Sequence, residues 1–183
     1  MKKWKKIIFN KSNKITKVNK LKNFIDFADD LGSYSSNKFY ENKFFFFKFY
    51  LNGRYLIWDE YLKSNLNPKH KTLSIASGRG INELALISDN FDIICSDLEI
   101  PECYEASKNL FKNLNYIKFN VLKDKMNNEF QSIFSLSTFF IFSDSELKKI
   151  FDNINKILKK DGTLIVDFGG AEDNLISFFF HDI

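Results

Sequence analysis

The sequence predicts an α/β fold: a three-layer α/β/α sandwich around a mostly parallel sheet, with a helical extension on its N-terminal side. Two stretches carry that expectation. From Lys71 to Glu99 the chain reads KTLSIASGRGINELALISDNFDIICSDLE. This is an apolar run (Leu73 to Ala76), a tight Ser77-Gly78-Arg79-Gly80 turn, a helical pattern (Ile81, Leu84, Leu86, Ile87), a second apolar run (Ile93 to Cys95) and the acids Asp97 and Glu99. Strand, glycine turn, helix and strand make a β-α-β unit. From Ser143 to Phe168 a capped, one-faced helix leads directly into another apolar strand. Strands alternating with helices in this way build a parallel sheet covered on both faces.

Composition bounds what such a chain does. Its 183 residues suffice for one domain with a proper core, and 44% are hydrophobic. The formal net charge is +4, but residues 1–23 hold nine lysines and no acid, which leaves 18 basic against 23 acidic residues in the remainder. The basicity therefore belongs to a tail. Cys95 and Cys103 are too few for a disulfide framework, and no Cys/His cluster has metal-ligand spacing. A reducing, cytoplasmic setting is expected. The apolar runs fall short of the roughly 18–20 residues of a membrane span, and Met1 to Asn10 lacks the core of a signal peptide.

Taken in order, residues 1–20 form a Lys-rich tail, residues 21–66 an N-terminal helical segment and residues 67–183 the α/β core. The tail lacks the arginines and interleaved aromatics of a nucleic-acid arm, so it reads as solvated. Leu21 to Leu31 has a helical apolar face and Gly32 ends it. A longer helical stretch runs from about Asn37, capped by Ser36, to Ser64, with a break at Asn52-Gly53. Its Phe44 to Phe47 are four consecutive aromatics, which no single helix face hides, so this helix needs two neighbours.

Asn67 to His70 forms a loop into the first strand, and His70 is expected to be exposed. Pro101 and Glu102 are expected to start the next helix, with Cys103 structural in its first turn and Ala106, Leu110 and Phe111 on its apolar face. Strand three is expected at Tyr116 to Phe119 and strand four at Ser132 to Leu136. Ser143 and Glu146 form a capping box, and Leu147, Ile150, Phe151, Ile154, Ile157 and Leu158 make one apolar face. Lys159 to Gly162 is expected to close that helix, and strand five to span Thr163 to Phe168.

The segment from Ser74 to Asp97 resembles motif I of the class I S-adenosylmethionine (SAM)-dependent methyltransferases, an acidic residue, any residue and Gly-x-Gly-x-Gly followed about 17–20 residues later by an acid. On this chain Ser74 stands at the acidic position, Ala76, Gly78 and Gly80 at the glycine positions and Asp97 at the later acid. Ala76 fits this pattern if its φ is negative, with Gly78 and Gly80 carrying the close backbone approach. The helix, Lys-rich glycine turn and strand at 143–168 also resemble the family, with Asp161 replacing a glycine. The resemblance spans roughly residues 70–170 and implies a Rossmann-like sheet and SAM as cofactor.

It further implies a set of cofactor contacts. Ala76, Ser77, Gly78 and Gly80 would surround the methionine portion, Asp97 with its neighbour Leu98 would hold the ribose, and Asn120 and Val121 would meet the adenine. Leu136 and Ser137 would lie beneath the sulfonium, and Arg54, just before the motif, would contact the carboxylate. Because SAM is already reactive, the resemblance implies catalysis by positioning and names no general base. Ser137 to Phe140 lacks the Asn/Asp-Pro-Pro-Tyr/Phe pattern of base-directed enzymes, which points to a small-molecule acceptor, a sugar or another metabolite, and away from nucleic acid. Only 13 residues follow Gly169-Gly170. The family's last two strands are thus expected to be missing and the strand-five edge to be covered by a homodimer partner, another subunit or the N-terminal segment. Two other functions remain open: a degenerate or truncated SAM-binding domain serving as a non-catalytic partner subunit, and an NAD-dependent oxidoreductase.

Overall fold

The computed structural model describes residues 55–127 and 129–167. The predicted tail, the helix at 21–31, the aromatic stretch at 44–47, Arg54 and the chain after Asp167 lie outside the described residues. The elements run α1 (Tyr55–Asn65), β1 (Thr72–Ile75), α2 (Ile81–Ser88), β2 (Ile93–Asp97), α3 (Tyr104–Leu110), β3 (Asn115–Lys118), β4 (Phe130–Ser135), a 3-10 turn (Phe139–Ile141), α4 (Asp144–Ile157) and β5 (Leu158–Val166).

All five strands pair in parallel, in the order β3-β2-β1-β4-β5. Every residue of β1 is buried, because the central strand has neighbours on both faces. On one face Leu62 of α1 and Leu66 just after it, the apolar residues of α2, and Cys103 and Phe111 flanking α3 pack against Cys95, Tyr116, Phe134 and Ile165. On the other, Ile150, Ile154 and Ile157 of α4 pack against Leu73, Ile75 and Ile133. This is the expected three-layer sandwich. The helix before β1 thus reaches into the core layer, where Lys63 of α1 bridges Asp59 and Asp89 at the foot of α2.

The β1-α2-β2 unit winds to one side of the sheet and the chain from β4 through α4 to β5 to the other. Order reverses between β1 and β4, and the crevice above their C-terminal ends is where open α/β sheets place ligands.

Two local expectations change. The helix after β2 begins at Tyr104 and not at Pro101, because Tyr104 N–H bonds back to Pro101 O at 2.9 Å and closes a turn first; Cys103 caps the helix, 1% exposed. The turn expected at Lys159 to Gly162 is drawn into β5. Phe130 pairs with Leu158 and Ser132 with Thr163, so these four residues stand opposite Gln131 alone and form a bulge. Asp161 has a φ of 64° there, and a Cβ on Gly162 would lie 2.8 Å from the Leu158 side chain and 2.9 Å from Gln131 O, which leaves room only for glycine. The predicted capping box is present: the Ser143 N–H and hydroxyl both donate to Glu146, at 2.9 and 2.7 Å, and these bonds hold the Glu146 carboxyl below its usual range.

Candidate functional site

The site grows from the turn between β1 and α2. Ala76 leaves β1 with φ 56°, Gly78 has φ 54° and Gly80, which caps α2, has φ 71°. The condition set for Ala76, a negative φ, is not met. The turn needs the left-handed region at all three positions, and at Ala76 an L side chain adopts it at a cost of roughly 1–2 kcal/mol.

Serines hold this strained turn against β2. Ser77 N–H donates to Ser96 O at 2.9 Å, and Ser77 Oγ accepts Ser96 N–H at 3.0 Å while donating to Ser74 O at 3.2 Å. Ser96 Oγ donates to the same carbonyl at 2.7 Å. Tyr116 of β3 donates its hydroxyl to Gly78 O at 2.9 Å, and burial pushes that phenol's pKa up.

Asp97, the last residue of β2, closes the ring. One carboxylate oxygen accepts Gly78 N–H at 2.9 Å and the other Leu98 N–H at 2.7 Å. A carboxylate has about four acceptor positions, so two bonds leave two for hydroxyls of a ligand. A Cβ added at Gly78 would meet nothing within 4 Å, so the turn is open on that side. Leu98 follows, 60% exposed. An open backbone, a partly engaged carboxylate and an exposed apolar side chain fit the ribose and base of an adenosyl group.

The other predicted residues that the structure describes stand along the same C-terminal edge. Asn120 follows β3, and its Oδ1 accepts Leu122 N–H at 3.0 Å while Asp124 accepts the Asn120 N–H at 2.6 Å. The Asn120 oxygen therefore has one acceptor position left for an amine. Val121 is buried, and its carbonyl accepts Asn153 Nδ2 of α4 at 2.9 Å. Leu136 packs partly against the core, and Ser137 is exposed with φ 54°, the counterpart on β4 of Ala76 on β1. Beyond it Phe139 is fully buried against Phe142 and Phe151, with ring centroids 6.2 and 5.9 Å away, whereas Phe140 and Ile141 are exposed. His70 is exposed at the opposite end of the strands, as expected.

Sequence reasoning missed Glu83. It lies in the first turn of α2, 5% exposed, and accepts the Ser74 hydroxyl at 2.5 Å. Burial, and after it the charge of Asp97, push its pKa up to about 7. The signal was available: Glu83 sits nine residues after a serine at the motif's acidic position, within reach across the strand-helix turn. Cys95 beside it is pushed well up by burial.

No protein-family model and no curated protein matches the sequence. The fold is nonetheless shared. A TehB-like SAM-dependent methyltransferase from Corynebacterium glutamicum superposes with a TM-score of 0.55 at 15% identity, over 92% of this chain and 81% of that one. The glycopeptide N-methyltransferase MtfA matches with a TM-score of 0.52 at 9% identity, over 61% of this chain and 52% of its own. Coclaurine N-methyltransferase, bound to N-methylheliamine and S-adenosylhomocysteine (SAH), matches with a TM-score of 0.54 at 14% identity, over 63% and 36%. The chain thus spans about half the length of the glycopeptide enzyme. In architecture it is an α/β chain with the Rossmann-like parallel sheet of the SAM-dependent methyltransferases.

Proposed function

We propose that the chain binds SAM above the C-terminal ends of β1 and β2 and transfers its methyl group to a small-molecule acceptor, a sugar or another metabolite. The observation that carries this reading is the ring from Gly78 to Asp97, an open glycine turn tied to a carboxylate with acceptor positions to spare. MtfA, which shares the fold, has been crystallised with SAM and with SAH.

SAM, when bound, supplies a methyl group on a positively charged sulfur. In this reading Asp97 accepts from the ribose hydroxyls, with Leu98 against the sugar and base, and Asn120 and the Val121 backbone meet the adenine. Ala76, Ser77, Gly78 and Gly80 line the methionine portion, Arg54 holds its carboxylate, and Leu136 and Ser137 flank the sulfur. Acceptor and methyl are brought in line, which needs position more than acid-base chemistry. The exposed Phe140 and Ile141 would face the acceptor.

A second reading, a non-catalytic partner subunit, is favoured by the strained Ala76 and by the Asn120 oxygen already engaged in its own turn. A homodimer or partner would then cover the β5 edge, which pairs only with β4 among the described residues. Calorimetric titration with SAM, SAH and NAD separates the possibilities. Saturable binding of SAM and SAH without NAD is expected, followed by methyl transfer in a metabolite screen. Binding without turnover would favour the partner subunit, and binding of NAD alone would overturn the cofactor assignment.

A further inference from the structure

The front of the glycine turn is open at Gly78, but its back is packed. A Cβ at Gly80 would lie 3.8 Å from Cys95 Sγ, 3.8 Å from Glu83 Cβ and 3.9 Å from Glu83 Oε2. The Glu83 carboxyl is therefore folded beneath the turn, one layer behind the face that a ligand would meet. Ser74, whose carbonyl also receives the Ser77 and Ser96 hydroxyls, fixes it there through its own hydroxyl at 2.5 Å.

Resting on the reading of this turn as a SAM site, we propose that Glu83, held by Ser74, is the counter-charge for the α-ammonium group at the methionine end of the cofactor, and that it gives up its proton when that group binds. The groups facing Glu83 are Ser74 from β1, Asp97 and Cys95 from β2 and Tyr116 from β3. Burial and Asp97 oppose charge at Glu83, and the bonds from Ser74 and from its own backbone N–H favour it. Their balance leaves the carboxyl at about 7, half ionised near neutral pH.

A cation at the front of the turn shifts that balance toward the carboxylate, because opposite charges a few ångströms apart in a dry setting attract strongly. The carboxyl O–H bond breaks, the electron pair stays on oxygen and the proton leaves to buffer. Binding then tightens as pH rises through 7, since the protein no longer has to lose a proton first. The α-ammonium group is common to SAM and SAH, so both ligands should show the effect, and adenosine, which lacks the methionine end, should not.

The test is calorimetric titration of the full chain with SAH and with adenosine at pH 6, 7 and 8. If the cation lowers the Glu83 pKa by about one unit, SAH affinity rises roughly fivefold from pH 6 to pH 8. Adenosine affinity stays flat. Glu83→Gln, which cannot ionise, flattens the SAH profile and exposes any titration of the ligand itself. Ser74→Ala removes a bond that favours the carboxylate, so the midpoint moves to higher pH while the profile persists. Circular dichroism verifies that each variant is folded. A flat SAH profile in the wild type, or one unchanged by Glu83→Gln, would overturn the role of Glu83 while leaving the SAM site standing. Failure of folded wild-type protein to bind SAH at any pH would overturn both.

Discussion

The turn after β1 and the loop after β4 leave adjacent central strands through a residue in the left-handed region, Ala76 on one side and Ser137 on the other. They are held in different ways. The first is tied down by Ser77, Ser96, Asp97 and Tyr116, with a buried acid behind it. The second packs its buried ring, Phe139, against Phe142 and Phe151 and bonds mainly within itself, Thr138 Oγ1 donating to Leu136 O at 3.1 Å, with Phe140 and Ile141 turned to solvent. A bonded network holds backbone N–H groups in one arrangement, the kind of preorganisation a binding site needs. An aromatic anchor fixes where a loop begins and leaves its exposed side chains free to adapt.

Three substitutions probe that contrast. The largest effect is expected at Phe139→Ala. Emptying a fully buried aromatic site should cost about 3–5 kcal/mol in denaturant unfolding, and hydrogen exchange should rise in the post-β4 loop before the glycine turn. Equal loosening of both rims would remove the distinction between them.

Glu83→Gln comes next and acts in the opposite direction. The Glu83 pKa is raised from 4.5 to about 7 in the fold. The protonated form is the one the fold favours, so its contribution is fully present below 4.5 and is lost as pH rises through 7. The variant should match the wild type at pH 4.5 and be more stable by up to roughly 3 kcal/mol at pH 8, as read from unfolding curves at the two values. A stability difference independent of pH would mean that the carboxyl is not buried as described. The smallest effect is at Ala76→Gly, which relieves the left-handed alanine and should stabilise by about 1 kcal/mol in thermal unfolding. A loss of stability there would show that the turn does not hold the φ of 56°.

Most of the sheet and the N-terminal cap of α4 were legible because their causes are local. Ser143 and Glu146 meet within one turn, and the runs at 72–75 and 93–97 carry their strands without help. The glycine turn was legible as a turn, but its conformation at Ala76 was not. A positive φ at alanine is a tertiary outcome, forced when Ser77 is drawn onto Ser96 across the sheet. Pro101 misled for a related reason: a first-turn proline is compatible with either a helix or a turn, and the Pro101–Tyr104 bond selects the turn. Strand five was placed too late because the pairing of Leu158 with Phe130 depends on the register of β4, which no residue near 158 encodes. Glu83 escaped notice because a glutamate in a first helical turn is ordinary. The nine-residue spacing to Ser74 permits its carboxyl to reach back across the strand-helix turn but does not require it.

The central claim is that Asp97 and the glycine turn form one ligand-holding ring. Calorimetric titration of wild-type chain and Asp97→Ala with SAM at pH 7.5 tests it most directly. Each bond from a hydroxyl to the carboxylate is worth ~1.5–3 kcal/mol, so losing one weakens SAM binding roughly ten- to 150-fold and losing both by more. Equal affinity of wild type and variant would contradict the ring as the cofactor site.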